Sequence, residues 1–133
     1  MPTIFTKIIN GEIPSHKVAE DDRYLAFLDV NPVAEGHTLV IPKAEVDYLF
    51  NLDDETYTGL MLFAKKVAGA LPQAVPCLRV GVTVIGLEVP HTHVHLVPLN
   101  TLQDINFSKL KLKPTHEDLA ATAEKIRNKL LNR

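Results

Sequence analysis

Short apolar runs that end at Gly, Pro, Asp or Asn predict the strands of this chain. Two of them flank the polar turn at residues 21 to 23, which predicts a hairpin. β-branched residues dominate several of the others, and such side chains favour strands. The predicted strands are residues 18 to 20, 24 to 29, 36 to 42, 79 to 84 and 94 to 98. An apolar segment at residues 8 to 14 is interrupted by Gly and Pro and predicts a turn.

Two other segments have apolar residues at helical spacing. The first starts at the acidic residues 53 to 55, near the positive end of a helix dipole, and runs to Leu71, where Pro72 is expected to end it. The second follows a sequence like a capping box at residues 115 to 118. Its apolar face consists of Leu119, Ala123, Ile126 and Leu130. Strands that do not alternate regularly with helices, together with two helices, predict an α+β domain with a mainly antiparallel sheet.

The composition limits the possible classes of protein. With 133 residues, a net charge of −2 and no large basic patch, the chain is predicted to be a single domain, residues 1–133, that does not bind nucleic acid. No apolar stretch approaches the ~18 residues of a membrane span, and the N-terminus lacks the pattern of a signal peptide. The one cysteine, Cys77, excludes an intrachain disulfide. We expect a buried structural thiol and a reducing, cytoplasmic location.

Half of the six histidines lie within five residues, at His91, His93 and His95. Alternate residues of a strand share one face, so the three imidazoles are expected to align ~6.6–6.8 Å apart. Two kinds of chemistry fit this pattern. A metal site would need a further ligand, for which His37 and Glu88 are candidates. Nucleophilic catalysis would use a neutral imidazole, which can attack phosphorus, with a neighbouring His to assist the leaving group.

The run from Gly86 to Pro98 resembles the signature of the histidine triad (HIT) family, in which three His alternate with apolar residues. Similar blocks precede it in order, at residues 4 to 14, 26 to 32 and 36 to 43. The resemblance covers about residues 3 to 98, and the Hint-like branch fits best. It implies a HIT-like fold, which has a mainly antiparallel five-stranded sheet, a long central helix and a C-terminal helix.

The resemblance also implies roles for the residues that match the family's motifs. His93 would be the nucleophile, His95 would contact the phosphate and assist the leaving group, and His91 would support the site. His37 matches a further family His near the triad, and Asp29 matches the acid that binds the ribose hydroxyls. Five apolar residues would line the base pocket, although plain core packing explains them equally well: Phe5, Ile8, Phe27, Val30 and Leu39. The main-chain N–H groups near Glu88 and Val89 would bind the phosphate.

Three features depart from the family pattern. Thr83 stands where the family usually has an Asn, and the loop at residues 84 to 86 is several residues short. Leu87 replaces a Gln and cannot donate a hydrogen bond to an oxygen near the scissile bond. Some bacterial relatives bind a structural zinc ion through a Cys-x-x-Cys pair and a His. In this chain the corresponding residues are Thr3, Thr6 and Glu45, so most of that zinc site is missing.

These observations predict a metal-independent hydrolase or nucleotidyltransferase that needs no cofactor. The resemblance implies a purine nucleoside phosphoramidate, an adenylated conjugate or a dinucleoside polyphosphate as substrate, and a nucleotidyl-histidine intermediate. A nucleotide-binding or sensor protein with little turnover, and a metal-dependent hydrolase, remain as alternatives. The resemblance further implies a homodimer, paired through the long helix and the strand after it.

Overall fold

The structure, a computed structural model, describes residues 2–131. Its strands are β1 (Lys17–Glu20), β2 (Tyr24–Leu28), β3 (Thr38–Pro42), β4 (Arg79–Thr83) and β5 (Val94–Leu99). Its helices are α1 (Ile4–Ile9), α2 (Asp54–Ala74) and α3 (His116–Leu131), with 3₁₀ turns at Leu49–Asn51 and Leu102–Ile105. The strand order is β1-β2-β3-β5-β4, and all neighbouring strands are antiparallel. The predicted α+β fold, with a five-stranded sheet, a long central helix and a C-terminal helix, is confirmed.

The sheet is covered on both faces, because alternate residues of its strands point in opposite directions. Ala26 and Leu28 of β2 belong to the main apolar cluster, which α2 and α3 complete. Leu25 and Phe27 of the same strand belong to a second cluster on the other face, which includes residues of α1. Every residue of β2 and of β3 is therefore buried, and the polar groups at their ends are held by a rigid scaffold.

The chain turns at residues 10 to 13, within the segment predicted to turn, but the helix before it was not predicted. Residues of α1 form a short helix, and the chain turns only after it, through Gly11 at a φ of +79°. Thr3 caps this helix, since its hydroxyl accepts a hydrogen bond from the Thr6 N–H at 3.1 Å and the Thr6 hydroxyl accepts in return from the Thr3 N–H. A helix of six residues is too short for its apolar spacing to be distinguished from a turn in the sequence.

The long helix α2 does not end at Pro72, as the sequence predicted, but continues to Ala74. Proline removes only its own N–H from the helical pattern, and the Val75 N–H still donates to the Leu71 carbonyl at 2.7 Å. Leu71 and Ala74 are both buried, so packing against the core stabilises this last turn. Cys77 follows the helix and is partly exposed, so the prediction of a buried thiol is also wrong.

The predicted start of the C-terminal helix is confirmed. The Thr115 hydroxyl accepts from the Asp118 N–H, and the Asp118 carboxylate accepts from the Thr115 N–H, both at 3.0 Å. Asp therefore fills the place that Glu usually takes in a capping box. Among residues 2–131, no helix is long and apolar enough to cross a membrane.

Candidate active site

Three neighbouring strands bring most of the predicted polar residues together at one end of the sheet. Asp29 directly follows β2, His37 directly precedes β3, and the Asp29 N–H donates to the His37 carbonyl at 3.0 Å. His95 lies in β5, opposite Leu39 of β3. Because β2 and β3 are antiparallel, the end of β2 lies beside the start of β3. The register of β5 against β3 then places His95 near this end of the sheet.

The three histidines of the triad do not form a regular strand face. β5 begins only at Val94, so His91 and His93 lie in the segment before it. This segment pairs with no strand among the described residues, and its side chains need not keep the strand repeat. The ring centroids of His93 and His95 are 4.9 Å apart, which is shorter than the spacing expected from the sequence. Phe5 of α1 packs edge-on against both His91 and His93.

His93 is held in one orientation by its own main chain. Its Nδ1 lies 2.8 Å from the carbonyl oxygen of His91, and a carbonyl can only accept, so Nδ1 carries the proton. In the neutral ring the lone pair is then on Nε2. His93 also lines a cavity of about 290 Å³ at this end of the sheet. This backbone contact therefore fixes the orientation of the ring and leaves Nε2 as the nitrogen that can act as a nucleophile.

A chain of hydrogen bonds determines the tautomers of His37 and His95. The Val33 N–H donates to Nδ1 of His37 at 3.1 Å, so His37 carries its proton on Nε2. This Nε2 lies 2.9 Å from Nδ1 of His95, which must therefore be the acceptor. The proton of neutral His95 is consequently on Nε2. His95, which lines the same cavity as His93, is thus a hydrogen-bond donor through Nε2.

Burial keeps both of these rings neutral. Desolvation, together with smaller effects of the positive charge of Lys111 and of the nearby His93, lowers the pKa of His37 to about 4. Desolvation likewise lowers the pKa of His95 to about 3, with additional contributions from His37 and His93. Neither ring therefore carries a positive charge at neutral pH, which agrees with the hydrogen bond between the two neutral rings.

His91 has a different position from the other two triad residues. It is fully buried, its Nε2 donates to the Pro42 carbonyl at 2.9 Å, and its Nδ1 accepts from the Thr3 hydroxyl at 3.0 Å. Both ring nitrogens are thus occupied, and burial lowers the pKa of the ring. His91 joins α1 to the end of β3 and orients His93 through its carbonyl oxygen. The neighbouring Thr92, the one polar residue in an otherwise apolar pattern, donates its hydroxyl proton to the Val46 carbonyl at 2.8 Å.

The cavity beside His93 contains four of the residues predicted for the site. Asp29 stands at its edge, where Oδ1 accepts from the Asn31 N–H at 2.8 Å and Oδ2 lies 3.7 Å from Nε2 of His37. The complete lining is Asp29, Asn31, Ile85, Gly86, Leu87, Glu88, His93, His95, Phe107 and Lys111. Leu87, the residue that departs from the family pattern, is in this wall and is 87% exposed. The structure therefore brings Asp29, Glu88, His93 and His95 to one cavity, together with the unusual Leu87.

The apolar residues predicted for the base pocket do not line this cavity. Four of them are buried in the cluster between the sheet and α1, where the rings of Phe5 and Phe27 meet at 5.5 Å. Val30 is mostly exposed beside Asp29, and Val89 packs half-buried against the cluster. The buried members are Phe5, Ile8, Phe27 and Leu39. Core packing accounts for their positions, and contact with a base stays a prediction.

Two residues of the site, Phe107 and Lys111, were not identified from the sequence. The ring of Phe107 packs edge-on against His95 at 4.8 Å and against His37 at 5.6 Å, so it shields the bond between them from water. Both residues come from the irregular segment 100 to 114, which the Leu112 N–H fixes to the Pro32 carbonyl at 2.9 Å. The only signal in the sequence is the alternation of Lys and Leu from residue 109 to 113.

One group of side chains has the donor set of a metal site. One ligand atom each from Asp29, His37 and His95 lies within 4.8 Å of the others. This set differs from the one considered for the sequence, because Glu88 is not part of it. The two facing nitrogens of His37 and His95 share a proton, so a cation would have to replace that proton to bind here.

A comparison with known protein families matches the HIT domain to residues 10–102 of this chain. An uncharacterised HIT-like protein of Borreliella burgdorferi is 45% identical over 102 residues, which cover 71% of this chain and 73% of that protein. The adenosine 5'-monophosphoramidase of Saccharomyces cerevisiae is 38% identical over 133 residues, which cover 91% and 82% of the two proteins.

Solved structures agree with the sequence comparison. The crystal structure of a HIT-like protein involved in cell-cycle regulation from Bartonella henselae superimposes with a TM-score of 0.83. The two chains are 34% identical, and the match covers 96% of this chain and 95% of that one. The sequence signature, the fold and these relatives agree, and the chain belongs to the HIT family.

Proposed function

We propose that this protein is a nucleotide hydrolase or nucleotidyltransferase that forms a covalent bond between His93 and the α-phosphorus of its substrate. The observation that carries the proposal is the contact of His93 Nδ1 with the His91 carbonyl, which leaves Nε2 as a nucleophile beside the cavity. The substrate would be a purine nucleoside phosphoramidate, an adenylated conjugate or a dinucleoside polyphosphate. The monophosphoramidase activity in the name of the yeast relative supports the first of these.

The proposed reaction has two displacements. Nε2 of His93 forms a bond to phosphorus while the bond to the leaving group breaks, and the leaving group departs with the electron pair and takes up a proton from the solvent. Water then attacks the same phosphorus and gives a proton back to the solvent, while the electron pair of the P–N bond returns to Nε2 of His93 and the nucleoside monophosphate is released. The positive charge that develops on His93 during attack is stabilised by the bond from its Nδ1–H to the His91 carbonyl.

His95 acts in this proposal as a fixed hydrogen-bond donor. Its Nε2–H would donate to the leaving group or to a phosphate oxygen, because His37 holds a proton against the other ring nitrogen. A neutral imidazole with a pKa of about 3 does not bring a positive charge to the substrate. It stabilises negative charge that develops on the departing atom, which contributes most when the donor is already oriented.

The nucleoside would be bound by groups around the same end of the sheet. Asp29 would accept hydrogen bonds from the ribose hydroxyls, since its main-chain partner, the Asn31 N–H, is bonded to Oδ1 and no main-chain group among residues 2–131 is bonded to Oδ2. The base would approach the apolar cluster through Val30 and Val89, with Phe5, Ile8, Phe27 and Leu39 beneath. The N–H groups of Glu88 and Val89, which have no main-chain partner among residues 2–131, would bind phosphate oxygens.

A nucleotide-binding protein with little turnover is the second candidate. The exposed Leu87 favours it, because this side chain cannot hydrogen-bond a substrate and occupies the wall of the cavity. Turnover separates the two functions. Purified protein, dialysed against EDTA, should hydrolyse adenosine phosphoramidate, and His93→Ala should bind AMP without turnover.

Nucleotide binding without turnover in the unmodified protein would favour the second candidate. Activity that disappears with EDTA and returns with Zn²⁺ would instead support a metal-dependent hydrolase at the group formed by Asp29, His37 and His95. Full activity after EDTA treatment is the result that metal independence predicts.

A homodimer is part of the same proposal. β4 is an edge strand, Val82 on it is 55% exposed, and a shallow apolar surface extends from it to Met61 and Ala68 of α2. Pairing of two such edges would satisfy open main-chain groups and cover this surface. Light scattering at micromolar concentration should give twice the mass of one chain, and a mass of one chain would reject the dimer.

A further inference from the structure

The cavity beside His93 has a charge balance that is unusual for an anion site. Asp29 and Glu88 contribute two carboxylates to its wall, and His95 is neutral. Among the residues that line it, Lys111 is the one Lys or Arg. A nucleoside phosphate that enters would therefore meet two like charges unless Lys111 offsets them.

Lys111 is held in place at the site. Its ammonium donates to the carbonyl of Phe107 and lies 3.4 Å from that of Lys109. It also lies 5.9 Å above the ring of Phe107, the same ring that packs against His95. These contacts restrain a long side chain that would otherwise have many rotamers, so less entropy is lost when a ligand binds.

The charge of this ammonium is available to a ligand. Within residues 2–131, no carboxylate lies within 4.0 Å of it, and its partners there are neutral carbonyls. An ammonium has three donors, and two of them point to these carbonyls. Its positive charge already acts on His37, because it contributes to the lowered pKa of that ring. A neighbouring lysine, Lys113, is exposed and lines no part of the cavity.

We propose that Lys111 binds the phosphate of the nucleotide and supplies, from the C-terminal side of the cavity, the hydrogen bond and charge that Leu87 cannot provide. The inference rests on the proposed function, since it assumes that a nucleoside phosphate occupies this cavity. Segment 100 to 114 then has a direct role, with Phe107 covering the His37–His95 bond and Lys111 contacting the substrate.

Comparison of a nucleotide with its nucleoside tests this assignment. AMP and adenosine are titrated by calorimetry into the unmodified protein and into Lys111→Met, with GMP and guanosine as a second pair. The loss of one hydrogen bond to a charged group should raise the Kd of AMP about ten- to a hundredfold and leave that of adenosine unchanged. Lys113→Met is the matched control and should bind AMP as the unmodified protein does. Lys111→Arg should restore most of the affinity and its dependence on salt.

Other outcomes overturn the assignment. Equal loss of AMP and adenosine in Lys111→Met, with a lower melting temperature, would mean that Lys111 only stabilises its segment. Equal affinity of the unmodified protein for AMP and adenosine would mean that no charge binds the phosphate. These results are independent of turnover, so a protein that binds AMP through Lys111 but hydrolyses no phosphoramidate would retain this inference and contradict the proposed reaction.

Discussion

At the scale of single residues, hydrogen bonds give different properties to chemically identical side chains. His93 donates through Nδ1 to a carbonyl, His91 uses both nitrogens inside the core, and His95 accepts through Nδ1. One N–H group, that of Val33, sets the tautomer of His37 and through it that of His95. The sequence motif specifies where the rings lie, whereas the backbone around them decides which nitrogen of each ring reacts.

His37 is therefore predicted to be a positioning residue. Replacing it in His37→Ala removes the donor to His95 and lets the His95 ring adopt either tautomer. We expect kcat for a phosphoramidate to fall by about fivefold, since the lost hydrogen bond contributes about 1 kcal/mol, while KM changes little. Steady-state kinetics measure both values.

His116→Ala, an exposed His far along the chain, is the matched control and should leave kcat unchanged. A rise in KM with an unchanged kcat in His37→Ala would mean that His37 contributes to binding and does not orient His95. Melting curves of each variant distinguish these effects from a loss of folded protein.

At the scale of elements, the short helix α1 is joined to the triad by one side chain. The Thr3 hydroxyl accepts from the Thr6 N–H and donates to Nδ1 of the buried His91. Removing it in Thr3→Ala loses a helix cap and leaves a buried ring nitrogen without a partner. We expect the free energy of unfolding to fall by about 1–3 kcal/mol, whereas Thr3→Ser should retain most of it. Urea titration measures both, and equal values for the two variants would contradict this coupling.

The elements also mark the limits of the sequence analysis. The strands, α2 and α3 were predicted because their apolar periods are long or their ends carry caps. α1 was missed because six residues are too few to show a period, and Pro72 was misread because packing of Leu71 and Ala74 stabilises the turn around it. The histidines of the triad were singled out by their alternate spacing, whereas Asp29 and the individual roles were implied by a resemblance. Phe107 and Lys111 were missed, since only tertiary packing brings their irregular segment to the site.

At the scale of the whole molecule, a site with neutral buried histidines makes stability depend on pH. In the unfolded chain a His titrates near pH 6.5, whereas the pKa of His37 is about 4 and that of His95 about 3 in the fold. Between these values the unfolded state binds more protons, so stability falls as the pH is lowered.

We expect the free energy of unfolding to fall by about 2–5 kcal/mol from pH 7 to pH 4.5, as each pKa unit corresponds to about 1.4 kcal/mol. Urea titrations at several pH values measure it. His95→Asn should show a shallower dependence, and His116→Asn should keep the steep one. A stability that is constant over this range would show that these rings are charged or solvated in the fold.

Formation of a covalent bond between His93 and a nucleotide is the central claim, and intact-protein mass spectrometry tests it most directly. The unmodified protein is mixed with adenosine phosphoramidate, quenched within milliseconds without acid and analysed at once, with His93→Ala treated in parallel. We predict one adenylyl group per chain, located at His93 by fragmentation, and none in the variant. Rapid turnover with no adduct at any quench time, or an adduct on another residue, would contradict the account.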